Sequence, residues 1–237
     1  MTKSFYHPIV KNILDRHIAS LNFRQAYLFS GPSGVGKNNL VDWFASQILE
    51  TEKLHSNFNF FDHDFAEANS VDEARQQIKR IVSCPVNGKL VVAVWRKIDS
   101  ASPQAISALL KTIEEPGSSA VILLTSDSPK INEALRSRCL LMRCNPLSIK
   151  QLRRIFQEQS IDPILYQLAA GRPGIIEKWL ANPEQLQELQ KKVELMEQGY
   201  GDVIQTMKAI NSLAELSIEE LREDYFSWFN KNKLAQT

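Results

Sequence analysis

The length, composition and charge of the chain exclude several classes of protein. Its 237 residues exceed the usual size of one domain, and 43% hydrophobic with 23% charged residues exclude a disordered or fibrous chain. The formal net charge of +1 excludes a global field that would draw the protein to nucleic acid, so we expect any contact with DNA to be local or shared.

Short apolar runs alternate with segments of helical periodicity over the first part of the chain. The runs predicted as strands are residues 26–30, 57–61, 90–95, 120–125 and 139–143. The segments predicted as helices are residues 9–21, 37–49, 71–82 and 103–115. This alternation predicts an α/β fold with a parallel sheet that helices cover on both faces.

A glycine-rich segment between the first strand and the second helix has the pattern of a phosphate-binding loop. Its residues are Gly31, Pro32, Ser33, Gly34, Val35, Gly36, Lys37 and Asn38. Glycines let backbone N–H groups close around phosphate oxygens, and the helix N-terminus and the lysine add positive potential. The loop therefore predicts a site for ATP or ADP; a glycine-rich turn without a ligand is the alternative.

The same site departs from the pattern of a hydrolysing P-loop protein. Asn38 stands where a Ser or Thr hydroxyl would bind Mg²⁺, and Arg96 and Lys97 stand where an acidic pair would bind Mg²⁺ and orient the attacking water. We expect these two cations to repel Mg²⁺. Asp99 is interpreted as a helix cap rather than as a substitute metal ligand. Nucleotide binding without efficient hydrolysis is the expectation.

After residues 145–147 the strand signals end and only helical patterns follow. Ser148 is expected to be the N-cap of the first helix there, and Pro163 to lie just inside the start of the next. The predicted organisation is an α/β domain over residues 1–145, a small helical lid over 146–182 and a helical tail over 183–237. Apolar residues at helical spacing in the tail predict a packed core, or a face that meets another subunit.

These fragments together resemble the AAA+ subunits of the bacterial DNA polymerase III clamp loader, which include the gamma/tau and delta-prime subunits. The matching stretches are residues 23–37, 106–117, 121–139 and 168–174, and the resemblance covers about residues 5–180. It implies a P-loop sheet domain followed by a helical lid. It also implies gamma/tau and delta subunits, the sliding clamp and, through the complex, primer–template DNA as partners.

The resemblance also implies roles for particular residues. Arg138 matches the arginine of the family's Ser-Arg-Cys motif, which points at the ATP of a neighbouring subunit as an arginine finger in trans. Thr125 and Ser126 match the sensor 1 region, where a polar side chain helps to read the γ-phosphate. Gly174 stands where hydrolysing relatives carry the sensor 2 arginine. A structural ion pair for Arg138 and a strand-end cap for the hydroxyls are the alternatives.

The chain departs from the family in two further respects. Only Cys84 lies between the P-loop and the third predicted strand, whereas many members carry a cysteine zinc module there, so we expect no zinc. A replacement site from His55, Asp62, His63 and Asp64 is interpreted instead as an ordinary loop and strand end. The residues after 182 are fewer than the family's helical collar usually has, so the collar is expected to be reduced or truncated.

Three functions are compatible with these residues. The favoured one is a non-hydrolysing, delta-prime-type subunit that is not an ATPase by itself and serves its hydrolysing neighbours. The rival is a self-sufficient AAA+ ATPase of the gamma/tau kind that uses Lys37 with Asn38 and Asp99 as an unorthodox metal site. The third is an AAA+ scaffold whose P-loop holds no nucleotide.

The chain is expected to work in the cytoplasm. Residues 1–14 lack the continuous apolar run of a signal peptide, and no run of about 18 apolar residues is found, so we expect neither export nor a membrane span. Cys84, Cys139 and Cys144 are an odd number at spacings unlike a zinc finger or a disulfide framework, which fits a reducing compartment.

Overall fold

A computed structural model of the protein describes residues 7–83, 90–114, 120–184 and 186–187. The chain divides into two compact units between Asn145 and Pro146. Among the described residues, no helix is long and apolar enough to cross a membrane. The organisation into three parts stays a prediction, because nearly all of the predicted tail over residues 183–237 lies outside the described residues.

The first unit contains a parallel sheet, which confirms the predicted α/β fold. Its strands are β1 Ala26–Ser30, β2 Phe60–Asp64, β3 Val91–Arg96, β4 Ala120–Ser126 and β5 Leu140–Arg143. The described residues form one five-stranded sheet of order β2-β3-β4-β1-β5, in which every neighbouring pair is parallel. The helices of this unit are α1 Pro8–Ser20, α2 Lys37–Ile48, α3 Val71–Ser83, α4 Pro103–Glu114 and α5 Glu133–Arg136.

Apolar residues of the central strands are buried on both sides of the sheet. On one face, Tyr27 and Phe29 of β1 pack with Phe44 of α2 in a first core cluster. On the other face, Trp95 of β3 and Leu109 of α4 belong to a second cluster. Each large side chain that is fully buried contributes about 2 kcal/mol to folding. Burial on both sides explains why these strands read as continuous apolar runs.

The second strand begins later than its apolar run predicts. The prediction placed it at residues 57–61, whereas β2 covers Phe60–Asp64. The Asn57 side chain accepts a hydrogen bond from Asn59 N at 2.9 Å, which forms a turn and leaves Phe58 94% exposed. β2 is an edge strand, and its polar end pairs with the end of β3 up to Arg96.

The described part of the second unit is helical. It contains α6 Ile149–Ile155, α7 Pro163–Leu168 and α8 Pro173–Ala181. Ser148 caps α6 in a reciprocal capping box with Gln151, and Pro163 is the first residue of α7, so both predictions are confirmed. Gly171 has a φ of 79°, and a Cβ there would lie 2.4 Å from the Leu147 carbonyl oxygen, so the turn before α8 requires glycine.

Candidate functional site

The parallel topology brings the loops after β1, β3 and β4 to one edge of the sheet. β1 lies directly beside β4, with Ser30 opposite Ser126, and β3 lies on the other side of β4. The carboxyl edge of a parallel sheet is where open α/β proteins bind their ligands. The predicted phosphate loop, the Arg96-Lys97 pair and the predicted sensor residues therefore share one region.

The phosphate loop leaves β1 under close steric restraint. Gly31 N donates to Ser126 O at 3.2 Å, and a Cβ on Gly31 would lie 2.0 Å from the Cys144 carbonyl oxygen, so a side chain does not fit. Gly34 and Gly36 have φ values of 82° and 97°, in the left-handed region that glycine adopts without strain. The sequence and the backbone thus agree on a tight glycine loop.

The N-terminus of α2 closes this loop. Gly36 is its N-cap, and no side chain caps the first turn within the described ranges. The first N–H groups of a helix need partners from outside it, and together with the helix dipole they favour an anion. His7 contacts the middle of the loop, with 3.0 Å between its Nε2 and Val35 O. This residue was not singled out from the sequence. The loop therefore fits a phosphate group.

The amino group of Lys37 is bound by groups of this chain. Lys37 is 5% exposed, and its Nζ donates to Gly31 O at 2.5 Å and to Pro32 O at 2.9 Å. The same atom forms an ion pair of 2.5 Å with Asp127 Oδ1. An ammonium group has three hydrogens to donate, so the three contacts can use all of them. A phosphate that binds Lys37 in the usual way must displace at least the Asp127 carboxylate.

Asp127 is itself held in place by Asp99. The backbone N–H of Asp127 donates to Asp99 Oδ1 at 3.0 Å. The interpretation of Asp99 as a helix cap is therefore wrong, because Asp99 lies in a 3₁₀ turn and its carboxylate binds the loop after β4. The cap of α4 is Ser102, whose Oγ accepts from Ala105 N at 3.1 Å.

Thr125 and Ser126 lie at the end of β4, beside the phosphate loop. Both are buried, at 1% and 2% exposure. Thr125 Oγ1 accepts from Lys97 N at 3.0 Å, and Ser126 Oγ accepts from Ser128 N at 3.3 Å. Each hydroxyl thus satisfies a backbone group near a strand end, as the alternative interpretation has it. Their role as sensors of a phosphate stays a prediction.

Arg96 is part of an ion network at the carboxyl end of β3. Its Nε and Nη2 atoms form a fork with the two carboxylate oxygens of Asp62, at 2.8 Å each, and Nη2 also contacts Asp42 Oδ1 at 2.6 Å. Burial opposes the charge of Arg96, but the hydrogen bonds and charges of Asp62 and Asp42 outweigh it and raise the pKa of the guanidinium. Arg96 is thus paired with two carboxylates, and the repulsion of Mg²⁺ by Arg96 and Lys97 stays a prediction.

In this network, Asp42 and Asp62 bind Arg96 and therefore do not face a metal ion. Asp42 and Asp62 both face Arg96, and the side chain of Asn38 is exposed at the start of α2.

His63, one of the residues considered for a replacement zinc site, contacts Ala68 O at 2.8 Å through Nε2. In the part of the chain that the structure describes, no group of three or more His, Cys, Asp and Glu residues could hold a metal ion.

Arg138 lies in a second location, just after α5. Its Nε donates to Glu114 Oε1 at 2.5 Å, and its Nη1 donates to Ala134 O at 3.0 Å and to Ser137 Oγ at 3.2 Å. The ion pair that the sequence left open as an alternative is thus present. The side chain of Arg138 is 32% exposed, so it also remains accessible from outside the unit.

The predicted loss of the sensor 2 arginine concerns the second unit. Gly174 is the second residue of α8, and Arg172 precedes the helix as its N-cap residue. Arg172 is 3% exposed, and its Nε donates to Ala169 O at 3.1 Å. Within its unit, Arg172 therefore supports the turn between α7 and α8.

The fold and the loop define the class of the protein. A parallel sheet of order β2-β3-β4-β1-β5, with a phosphate-binding loop between its first strand and the next helix, is the core of an AAA+ P-loop protein. A DNA polymerase III gamma subunit-related protein from Thermotoga maritima has a similar solved structure, with a TM-score of 0.56 at 15% identity over 90% of this chain and 76% of that one. At this identity the likeness concerns the fold alone.

Sequence comparison gives the family. The family model described as "DNA polymerase III, delta subunit" matches residues 6–148, and the chain belongs to this family. The tau/gamma subunit of Haemophilus influenzae is 31% identical over 184 residues, which cover 68% of this chain and 27% of the relative. The delta-prime subunit of Pseudomonas aeruginosa is 27% identical over 175 residues, which cover 62% of this chain and 53% of the relative. The chain thus matches about a quarter to a half of these relatives' lengths.

Proposed function

We propose that the chain is a non-hydrolysing, delta-prime-type subunit of a bacterial clamp loader, which completes the ATP site of a neighbouring subunit with Arg138. The absence of hydrolysis is inferred from the ion pairs at the carboxyl end of β3, where Arg96 binds Asp62 and Asp42. Hydrolysis requires Mg²⁺ and a group that orients water, and a hydrolysing protein supplies both from acidic residues at this strand end. Arg96 and Lys97 can do neither.

Nucleotide binding is part of the proposal, with the chemistry limited to the phosphates. The N–H groups at the start of α2 and the amino group of Lys37 would hold the phosphates of ATP or ADP after displacement of Asp127. A bound nucleotide would supply negative charge to this loop. The role of the chain's own residues is then to bind and orient, and no residue near the loop is proposed as a base.

The trans role of Arg138 is supported by its position and its chemistry. The guanidinium lies at the surface of the first unit, partly exposed, and is held by the end of α4. A guanidinium presents a planar fork of donors to the charge on a transferring phosphoryl group, and arginine fingers accelerate such transfers by roughly 10³- to 10⁵-fold. Thr125 and Ser126 are proposed to sense the γ-phosphate of a nucleotide bound in the chain's own P-loop.

The partners are proposed from membership of the family and from the similar proteins, which are subunits of DNA polymerase III. They are the gamma/tau and delta subunits, the ring clamp and, through the complex, primer–template DNA, in the cytoplasm. A net charge of +1 supports a shared rather than an independent DNA contact.

A second candidate function rests on the intact phosphate loop. Lys37, the glycines and the free start of α2 are what a self-sufficient AAA+ ATPase needs for its phosphates. Asp99 would then have to leave Asp127 N and bind a metal ion together with Asn38. The ion network at Arg96 opposes this candidate.

Steady-state assays separate the two functions. We expect the purified chain to bind an ADP analogue in a Lys37-dependent way and to hydrolyse no ATP. We expect it to stimulate hydrolysis by the gamma/tau and delta subunits, and Arg138→Ala to remove this stimulation. Hydrolysis by the chain alone that Lys37→Ala abolishes would establish the second candidate. Absence of nucleotide binding would leave an AAA+ scaffold with an empty loop.

A further inference from the structure

The end of α4 and the turn after α5 meet through one ion pair. Glu114 is the last residue of α4, and Arg138 follows α5, so the contact joins residues 24 positions apart in the chain. The distance from Arg138 Nε to Glu114 Oε1 is 2.5 Å. Because the two side chains are 32% and 48% exposed, the pair contributes little to the stability of the unit. Its effect on the orientation of Arg138 is more informative.

The contacts of Arg138 fix the guanidinium along one side. Glu114 accepts from Nε, while Ala134 O and Ser137 Oγ accept from Nη1 at 3.0 and 3.2 Å. No described residue forms a hydrogen bond with Nη2. Restraint at two of the three nitrogens sets the plane of the group and leaves Nη2 as a donor for an external anion.

We propose that Glu114 is a positioning residue for Arg138, and that it orients the Nη2 edge toward the phosphates bound by a neighbouring subunit. The inference rests on the proposed trans role of Arg138 and adds the residue that prepares it. A long arginine side chain has many rotamers, and a donor that is oriented before the reaction avoids reorganisation during it. Glu114 touches no reacting atom and acts only through Arg138.

A double-mutant cycle in the complete loader tests the inference. The variants are Glu114→Gln, Glu114→Asp, Arg138→Ala and the double variant Glu114→Gln with Arg138→Ala. Each is assembled with the gamma/tau and delta subunits of the same organism, and ATP turnover is measured with clamp and primed DNA. Glu133→Gln, an exposed carboxylate at the start of α5, is the matched control. Size-exclusion chromatography confirms assembly.

We expect Glu114→Gln to remove about nine-tenths of the turnover that Arg138→Ala removes, which corresponds to a fall of about tenfold at the one site that Arg138 serves. Glu114→Asp, which keeps the charge, should restore part of this turnover, and Glu133→Gln should leave it unchanged. In the Arg138→Ala background, Glu114→Gln should have no further effect. A merely structural role for Glu114 would not produce this dependence on Arg138.

Other results overturn the inference in distinguishable ways. If Arg138→Ala lowers turnover while both Glu114 variants leave it unchanged or raise it, Glu114 does not position the arginine, and the proposed function stands. If Glu114→Gln lowers turnover equally with and without Arg138, it acts by another route. If Arg138→Ala has no effect in an assembled loader, the proposed function fails, and the inference fails with it.

Discussion

At the scale of single residues, the candidate nucleotide site and the separate Arg138 site are each described by which carboxylate each cation contacts. Lys37 contacts Asp127, Arg96 contacts Asp62 and Asp42, and Arg138 contacts Glu114. In a hydrolysing P-loop protein, the first two positions serve a phosphate and Mg²⁺ instead. Each of these three cations is thus paired with a carboxylate of the same chain in the folded state.

Removal of the Asp127 charge should strengthen nucleotide binding. We expect Asp127→Asn to raise the affinity for ADP about tenfold, because the phosphate no longer competes with a carboxylate for Lys37. Equilibrium titration with a fluorescent ADP analogue measures the change. Asp72→Asn, which alters an exposed helix pair, is the control. Weaker binding by Asp127→Asn would mean that Asp127 helps to hold the nucleotide or its metal ion.

Loss of Arg96 should destabilise the first unit. Arg96→Met leaves the carboxylates of Asp62 and Asp42 without their cation, and we expect a loss of about 2 kcal/mol in the free energy of unfolding, less than for a fully buried pair because Asp62 and Asp42 are 21% and 39% exposed. Arg75→Met removes only an exposed pair with Asp72 and should change it by less than about 0.5 kcal/mol. Urea denaturation followed by circular dichroism measures both. Equal effects of the two substitutions would contradict a stabilising role for the Arg96 network.

The sequence predicts the positions of these cations but not their partners. The phosphate loop and Arg138 are found because their motifs are local. The partners lie far away in the chain: 54 and 34 residues separate Arg96 from Asp42 and Asp62, and 24 separate Arg138 from Glu114. No spacing rule connects residues at such distances. Asp127 gave one signal, since it directly follows the end of the strand beside the phosphate loop.

At the scale of secondary structure elements, the sheet followed closely from apolar pattern. β1 has the predicted bounds, because its five residues are all buried and a glycine loop follows at once. β2 was misplaced because a pattern of apolar residues does not show that Asn57 forms a turn or that the polar Asp62 and Asp64 belong to an edge strand. Pairing with a neighbouring strand decided those bounds.

In the second unit, α8 contains a carboxyl group whose protonation should affect stability. Burial raises the pKa of Glu177 to about 7 from an ordinary value of 4.5. The folded state therefore binds this proton more tightly than the unfolded state does. Its contribution to stability is fully present below about pH 4.5 and is lost as the pH rises through about 7. At higher pH, the ionised carboxylate in this half-buried place destabilises the helix.

We expect Glu177→Gln to stabilise the protein by about 1 kcal/mol at pH 8 and to have little effect at pH 4.5, an estimate reduced for the partial exposure of the side chain. Denaturant unfolding at the two pH values measures the difference. Glu67→Gln, at an exposed position in the first unit, is the control. A gain from Glu177→Gln that is the same at both pH values would show that ionisation is not its cause.

At the scale of the whole molecule, the chain belongs to the DNA polymerase III delta subunit family, and we propose that it departs from a hydrolysing enzyme at several separate positions. Asn38, Arg96 and Lys97 are predicted to stand at the places of a metal-binding hydroxyl and an acidic pair, and Gly174 at that of the sensor 2 arginine. These departures were visible in the sequence because they fall within recognisable motifs. The predicted helical tail and reduced collar stay predictions, because residues 188–237 lie outside the described part of the chain.

The central claim is that the chain contributes to ATP turnover through Arg138 and not through its own phosphate loop. The most direct test is ATP hydrolysis, stimulated by clamp and primed DNA, in a loader reconstituted with the organism's own gamma/tau and delta subunits. Arg138→Ala should lower the rate strongly with assembly intact, while Lys37→Ala should leave it nearly unchanged. If Lys37→Ala removes a comparable share of turnover, or the chain does not join the complex, the claim is wrong.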